Sequence, residues 1–137
     1  MRLHCLIVSL LLVIDFVPLD GQLLKEDLAP ELRYLFEEDY DTWEAPAGIQ
    51  KNYPYYLSGF DDDGRPIWVV EIGKWDIKSA VERGEEWEKI FTKYCNQWLY
   101  RVIQSVGLKS TEENTVKEAI TIHDYEGFSL DQLNSAK

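Results

Sequence analysis

Three side chains of this 137-residue chain could do proton chemistry together: Glu71, His123 and Asp124. A histidine beside a carboxylate can accept a proton and pass it on, and a second carboxylate can take the opposite role. Such a pair acts on a substrate only with a positioned nucleophile or a polarised centre, and no motif here supplies one. The plainer account is that Asp124 caps the turn before Gly127 and His123 is one polar residue on a strand face. A small acid–base enzyme built on Glu71, His123 and Asp124 is carried forward as an alternative reading.

Other chemistry-bearing patterns break down on spacing. Asp61-Asp62-Asp63-Gly64 has the look of a calcium loop. With Gly64 at loop position six, Gly59 and Val70 fall at positions one and twelve, and neither can ligate through a side chain. Gly107-Leu108-Lys109-Ser110 lacks the adjacent Gly-Lys and the upstream glycine of a phosphate loop. Gly-x-Gly-x-x-Gly, Gly-x-Ser-x-Gly and Asn-x-Ser/Thr do not occur. Cys5, Cys95, His4 and His123 are too few and too scattered for a zinc cluster. No metal and no cofactor is expected. A net charge of −11 gives no electrostatic footprint for nucleic acid, and anionic membrane surfaces should repel most of the exterior.

The elements that must position these residues begin with Tyr53–Asp76. Tyr55 to Phe60 is aromatic and β-prone. Asp61–Gly64 is a turn cluster, and Gly64 supplies the positive φ a hairpin often demands. Ile67-Trp68-Val69-Val70-Glu71-Ile72 is apolar at five of six positions. A strand that does not alternate should be covered on both faces, as in an α/β sheet. Gly73-Lys74 then breaks it, and Trp75 to Gly84 is a short connection. Glu85 to Val106 follows as a long amphipathic helix with its stripe from Trp87 to Val106 at i, i+3, i+4 spacing. Glu85, Glu86 and Glu88 suit its N-terminus, and Gly107 is a natural stop. Lys109–Lys117 is a polar loop, Ala119–Asp124 a third strand, and Ser129-x-x-Gln132 a capping box opening another helix.

Upstream, residues 1–21 read as a secretory leader, with Arg2 before the apolar core Leu6–Ile14 and a cut after Gly21. Secretion follows from a genuine leader, and a cytoplasmic location is the alternative. With the leader gone, Cys95 stands alone and no intramolecular disulfide forms. Residues 22–48 read as helical pieces ending in the linker Ala45-Pro46-Ala47-Gly48.

Several of these segments together resemble a known family. Tyr53-Pro54, Gly59-Phe60-Asp61, Asp63-Gly64-Arg65-Pro66-Ile67-Trp68 and Gly73-Lys74-Trp75-Asp76-Ile77 are similar to the opening of a CRAL-TRIO domain. That is the lipid-binding module of the yeast secretory phosphatidylinositol-transfer family and its animal relatives. Ile122-His123-Asp124-Tyr125-Glu126-Gly127-Phe128-Ser129 resembles the family's later strand and its Asp-x-x-Gly turn. The resemblance implies an incomplete domain over residues 49–137, of α/β class. It should have a mixed sheet of about three strands, packed by the long helix, with short N-terminal helices.

It further implies a non-enzymatic protein that binds a lipid or other hydrophobic small molecule and carries it between membranes through transient contact. Carried over residue by residue, Tyr56 and Tyr94 match pocket tyrosines, and Trp68 stands where a third tyrosine would be. Thr121 matches a phosphate-holding hydroxyl, and Ala119 replaces its serine partner. Tyr56, Trp68, Tyr94 and Thr121 are thus the expected lipid-binding residues, with ordinary packing as the alternative for each. The family's N-terminal helical lobe and the second half of its lipid domain have no counterpart in the segments matched. An apolar sheet face left open would favour self-association. An extracellular interaction protein without a small ligand is the third reading.

Overall fold

A computed structural model describes residues 5–11, by their backbone, and residues 23–134. Its centre is a four-stranded mixed sheet in the order β1-β4-β3-β2, from β1 (Cys5–Leu11), β2 (Tyr55–Phe60), β3 (Pro66–Val70) and β4 (Glu118–Asp124). β2 and β3 form the expected antiparallel hairpin, β3 and β4 run parallel, and β1 runs antiparallel to β4. The hairpin turn closes with Gly64 N–H donating to the Asp61 carbonyl at 3.0 Å and Gly64 at φ 81°. Arg65 locks it from the side, donating to the Asp61 carboxylate at 2.7 Å and to Asp63 at 2.9 Å.

Helices α1 (Ala47–Asn52), α2 (Ile77–Glu82) and α3 (Glu85–Val106) follow the same chain order. α3 has the 22 residues its apolar stripe prescribed, and three glutamates sit in its first turn. It lies across one face of the sheet. Trp68, Val102, Ile103, Val106 and Ala119 join Leu23, Leu28 and Leu35 of the N-terminal segment in one buried cluster. A second cluster gathers Ile49, Tyr53, Ala80 and Tyr94 under α1 and α2. Tyr55 packs against both.

The N-terminal segment is strapped to α3 by one side chain. Gln97 is a polar residue set in the apolar stripe, buried to 1% exposure. Its Nε2 donates to the carbonyls of Tyr40 at 2.9 Å and Trp43 at 2.8 Å. A primary amide has two N–H groups, so a single glutamine serves both carbonyls of a turn that has no helix or strand to satisfy them.

The structure departs from the sequence expectations at several points. The expected three strands form, and Cys5–Leu11 adds a fourth that overlaps the apolar run read as a leader core. The second strand stops at Val70 rather than Ile72, because Ile72–Lys74 turns as a 3-10 helix. Gly73 comes so near the Glu126 backbone that a Cβ there would lie 1.9 Å from its carbonyl oxygen. The pieces at Lys25–Asp27 and Pro30–Phe36 are 3-10 helices, and the linker residues Ala47 and Gly48 open α1 instead. The connection Trp75–Gly84 contains α2, capped by the Asp76 carboxylate on Ser79 N–H at 3.2 Å. The capping box at Ser129 starts only a 3-10 turn, Leu130–Leu133.

Candidate functional site

The two faces of the sheet differ. Along β3, Pro66, Trp68 and Val70 are buried while Ile67 and Val69 are half-buried; along β4, Ala119 and Thr121 are buried while Ile120 and Ile122 are half-buried. Side chains alternate between faces along a strand. The buried set therefore faces α3, where the Trp68 indole N–H donates to the Ser105 hydroxyl at 3.0 Å. The half-buried set lies on the opposite face. That corrects the expectation that both faces of the second strand are covered. The unbroken apolar run reflects one packed face and one partly open apolar face.

Register lines these open-face residues up in rows. Tyr56 pairs with Val69, and Val69 with Ile122. Ile67 pairs with Ile120. Tyr56 is 48% exposed and carries the phenol at the end of its row. Tyr55, its neighbour in sequence, turns the other way, and its ring centre lies 5.0 Å from that of Tyr94.

The four residues carried over from the family resemblance thus divide between the two faces. Trp68, Tyr94 and Thr121 lie in the packed layer under α3, and only Tyr56 lies on the open face. Trp68 and Thr121 are register partners on β3 and β4. Tyr55 stands between Tyr94 and Trp68, its ring centre 5.0 Å from that of Tyr94 and 6.1 Å from that of Trp68. The Tyr94 hydroxyl donates to the Tyr53 carbonyl at 2.8 Å, and burial pushes its pKa well above the ordinary phenol range. Burial raises the Tyr55 phenol too, and it pushes the Cys95 thiol on α3 up to about 11. None of these groups is poised to ionise near neutrality.

The proton-transfer candidates come close without forming a relay. Glu71 and Asp124 line one small cleft of about 240 Å³ with Gly73, Lys74 and Glu126. The Glu71 carboxylate accepts from the Lys74 ammonium at 2.6 Å, and Asp124 accepts from Glu126 N–H at 2.9 Å. His123 is not among the cleft's lining residues; its ring centre lies 6.4 Å from that of Tyr125. A roomier cleft of about 700 Å³ lies on the far side of α3, lined by Glu38, Glu85, Glu88, Lys89 and Lys93 among others. Its charged rim is no match for an apolar guest.

Sequence reasoning passed over the residues that satisfy this layer: Ser105, Gln97 and the Tyr53 carbonyl. The signal for the first two was present, since both interrupt an otherwise apolar helix stripe. A polar residue at such a position implies a buried partner.

Among the described residues the α/β layer thus has one packed face and one partly open apolar face. Residues 50–137, well over half of the chain, match the CRAL/TRIO domain, and the chain belongs to that family. Membership points to binding or transfer of a lipophilic ligand, and members of the family are generally not enzymes. No solved structure matches the chain.

Proposed function

We propose that this chain binds a lipophilic small molecule, a phospholipid or similar amphiphile, on the sheet face opposite α3. The supporting observation is the register row from exposed Tyr56 to half-buried Val69 and Ile122, flanked by half-buried Ile67 and Ile120, where the other face is sealed. Tyr56 would offer a phenol to a polar headgroup at the rim, and the aliphatic rows would meet the apolar body. The hairpin motifs favour a relationship to the yeast phosphatidylinositol-transfer branch, so transfer between membranes through transient contact is the activity proposed.

Trp68, Tyr94 and Thr121 take the packing role in this reading, because they lie on the sealed side. Completing the burial of four side chains already half-buried contributes on the order of 2 kcal/mol. The guest must therefore bring apolar area of its own and meet further walls. The acid–base alternative is the weaker reading, since Glu71 and Asp124 are each engaged by a neighbour. If residues 1–21 are cut as a leader, exchange takes place outside the cell, and otherwise in the cytoplasm; N-terminal sequencing of the expressed product decides.

Native mass spectrometry of the full chain, followed by titration with a fluorescent fatty acid, tests the proposal. A co-purifying lipid or saturable binding that Val69→Asp weakens more than tenfold, with the fold retained by circular dichroism, supports it. An empty, monomeric chain that leaves the probe in water overturns it.

A further inference from the structure

β4 is paired on both sides, by β3 on one and by β1 on the other. The outer pairing matches all seven residues of each strand without a shift, from Cys5 opposite Asp124 to Leu11 opposite Glu118. This edge has a charge pattern. Glu118 opens β4 and Asp124 closes it, with uncharged residues and His123 between. Antiparallel pairing of two β4 strands about Thr121 would set Glu118 opposite Asp124 at both ends. Like charges directly opposite are destabilising, so the edge is protected against its own copy.

Cys5-Leu6-Ile7-Val8-Ser9-Leu10-Leu11 meets neither obstacle. It has no charge to oppose an acid, no proline to drop a ladder bond and no glycine to loosen the strand. It places Cys5 against Asp124 and Leu11 against Glu118, so neither acid faces another. We infer that the outer edge of β4 is a strand-acceptor site selective for an uncharged apolar segment, and that Cys5–Leu11 fills it in cis. The recognition mode is strand addition, in which main-chain bonds give affinity and residue type gives selectivity. Six of these seven residues, Leu6–Leu11, belong to the apolar core of the segment read as a leader. A cut after Gly21 would detach the strand from the domain and open the acceptor edge, so the two uses exclude one another in any one molecule.

The register supplies the test. Residues directly opposite in an antiparallel pair lie about 4.5–5.5 Å apart at Cα, within disulfide reach. In the full chain carrying Cys95→Ser, Asp124→Cys should form, on mild oxidation, an intramolecular bond to the native Cys5. Peptide mapping of the monomer reads it out, and Asp131→Cys is the out-of-register control. Amide exchange of the unmodified full chain is the second measurement. Edge-facing amides of β4 should be protected, and Val8→Pro should release them at least tenfold while the β2–β3 hairpin stays protected. Absence of the bond to Cys5 overturns the inference, as does a bond found only between two molecules. Unchanged β4 protection in Val8→Pro overturns it equally.

Discussion

Tyr94→Phe separates a packing role from a ligand role at one of the two most buried of the four family-matched side chains. The Tyr94 ring is 3% exposed, and its hydroxyl donates to the carbonyl of Tyr53, itself 1% exposed. The substitution keeps the ring and its contact with Tyr55 and removes only the donor. A buried carbonyl left without a partner costs about 1–3 kcal/mol. For a domain of this size, each kcal/mol shifts Tm by roughly 4 °C, so Tm should fall by about 4–12 °C. Affinity for a fluorescent fatty acid, measured well below both melting temperatures, should stay within about twofold, because Tyr94 lies on the sealed side of the sheet. Calorimetry of the full chain and an equilibrium titration give the two numbers independently. An unchanged Tm together with a tenfold loss of affinity would refute the division of the sheet into a structural face and a ligand face.

Other expected outcomes follow from single contacts. Gln97→Leu strands the carbonyls of Tyr40 and Trp43 together, and should cost about 2–4 kcal/mol by urea titration, with the N-terminal segment losing amide protection first. Gly73→Ala drives a methyl into the Glu126 backbone and should destabilise by about 3 kcal/mol or prevent soluble expression. Burial holds the His123 imidazole below its ordinary value, so the unfolded chain takes up a proton that the folded chain resists. Stability from this group is full above about pH 6.5 and falls as pH drops through the depressed folded value. Urea midpoints of the wild type and His123→Gln across that range should converge at neutral pH and diverge below it. Asp76, held below the usual carboxylate range by Ser79, adds a loss confined to more acid solution.

The hairpin, the long helix and the β4 strand were legible because each rests on local chemistry. Gly64 supplies the turn, the Trp87–Val106 stripe has the helical period, and Ile120 and Ile122 alternate with Ala119 and Thr121. The two-sided covering of β3 was misread because an apolar run shows only that neither face prefers water. It does not show that both faces have neighbours. Leucine spacing before Trp43 suits a helix of either pitch, so it does not separate α from 3-10, and the turn that follows these pieces is held at Tyr40 and Trp43 by Gln97, more than fifty residues away. α2 was missed in a stretch with little periodicity, where Asp76 supplies an N-cap visible only as Asp-x-x-Ser. β1 was hidden for a different reason. An apolar run without charges suits both a leader core and a strand, and the strand it pairs with, β4, lies more than a hundred residues further along the chain. The family motifs could not say which way Tyr56, Trp68 and Thr121 point, since one-residue alternation along a strand decides the face.

The dimensions of the open face bear on what it can hold. Adjacent strands lie about 4.8 Å apart, so the row from Tyr56 across Val69 to Ile122 spans roughly 10 Å. Ile67 and Ile120 extend it by two residues along the strands, roughly 7 Å. A patch of that size falls far short of the roughly 800 Å² per partner that a stable protein interface requires. It matches the breadth of one or two acyl chains or a fused ring system laid flat. A protein partner would have to engage a broader surface than this patch alone. Lengthening a bound fatty acid should therefore raise affinity until the chain outruns the patch, and then level off. Affinity that is indifferent to chain length, or that appears only with protein partners, would move the function away from this face.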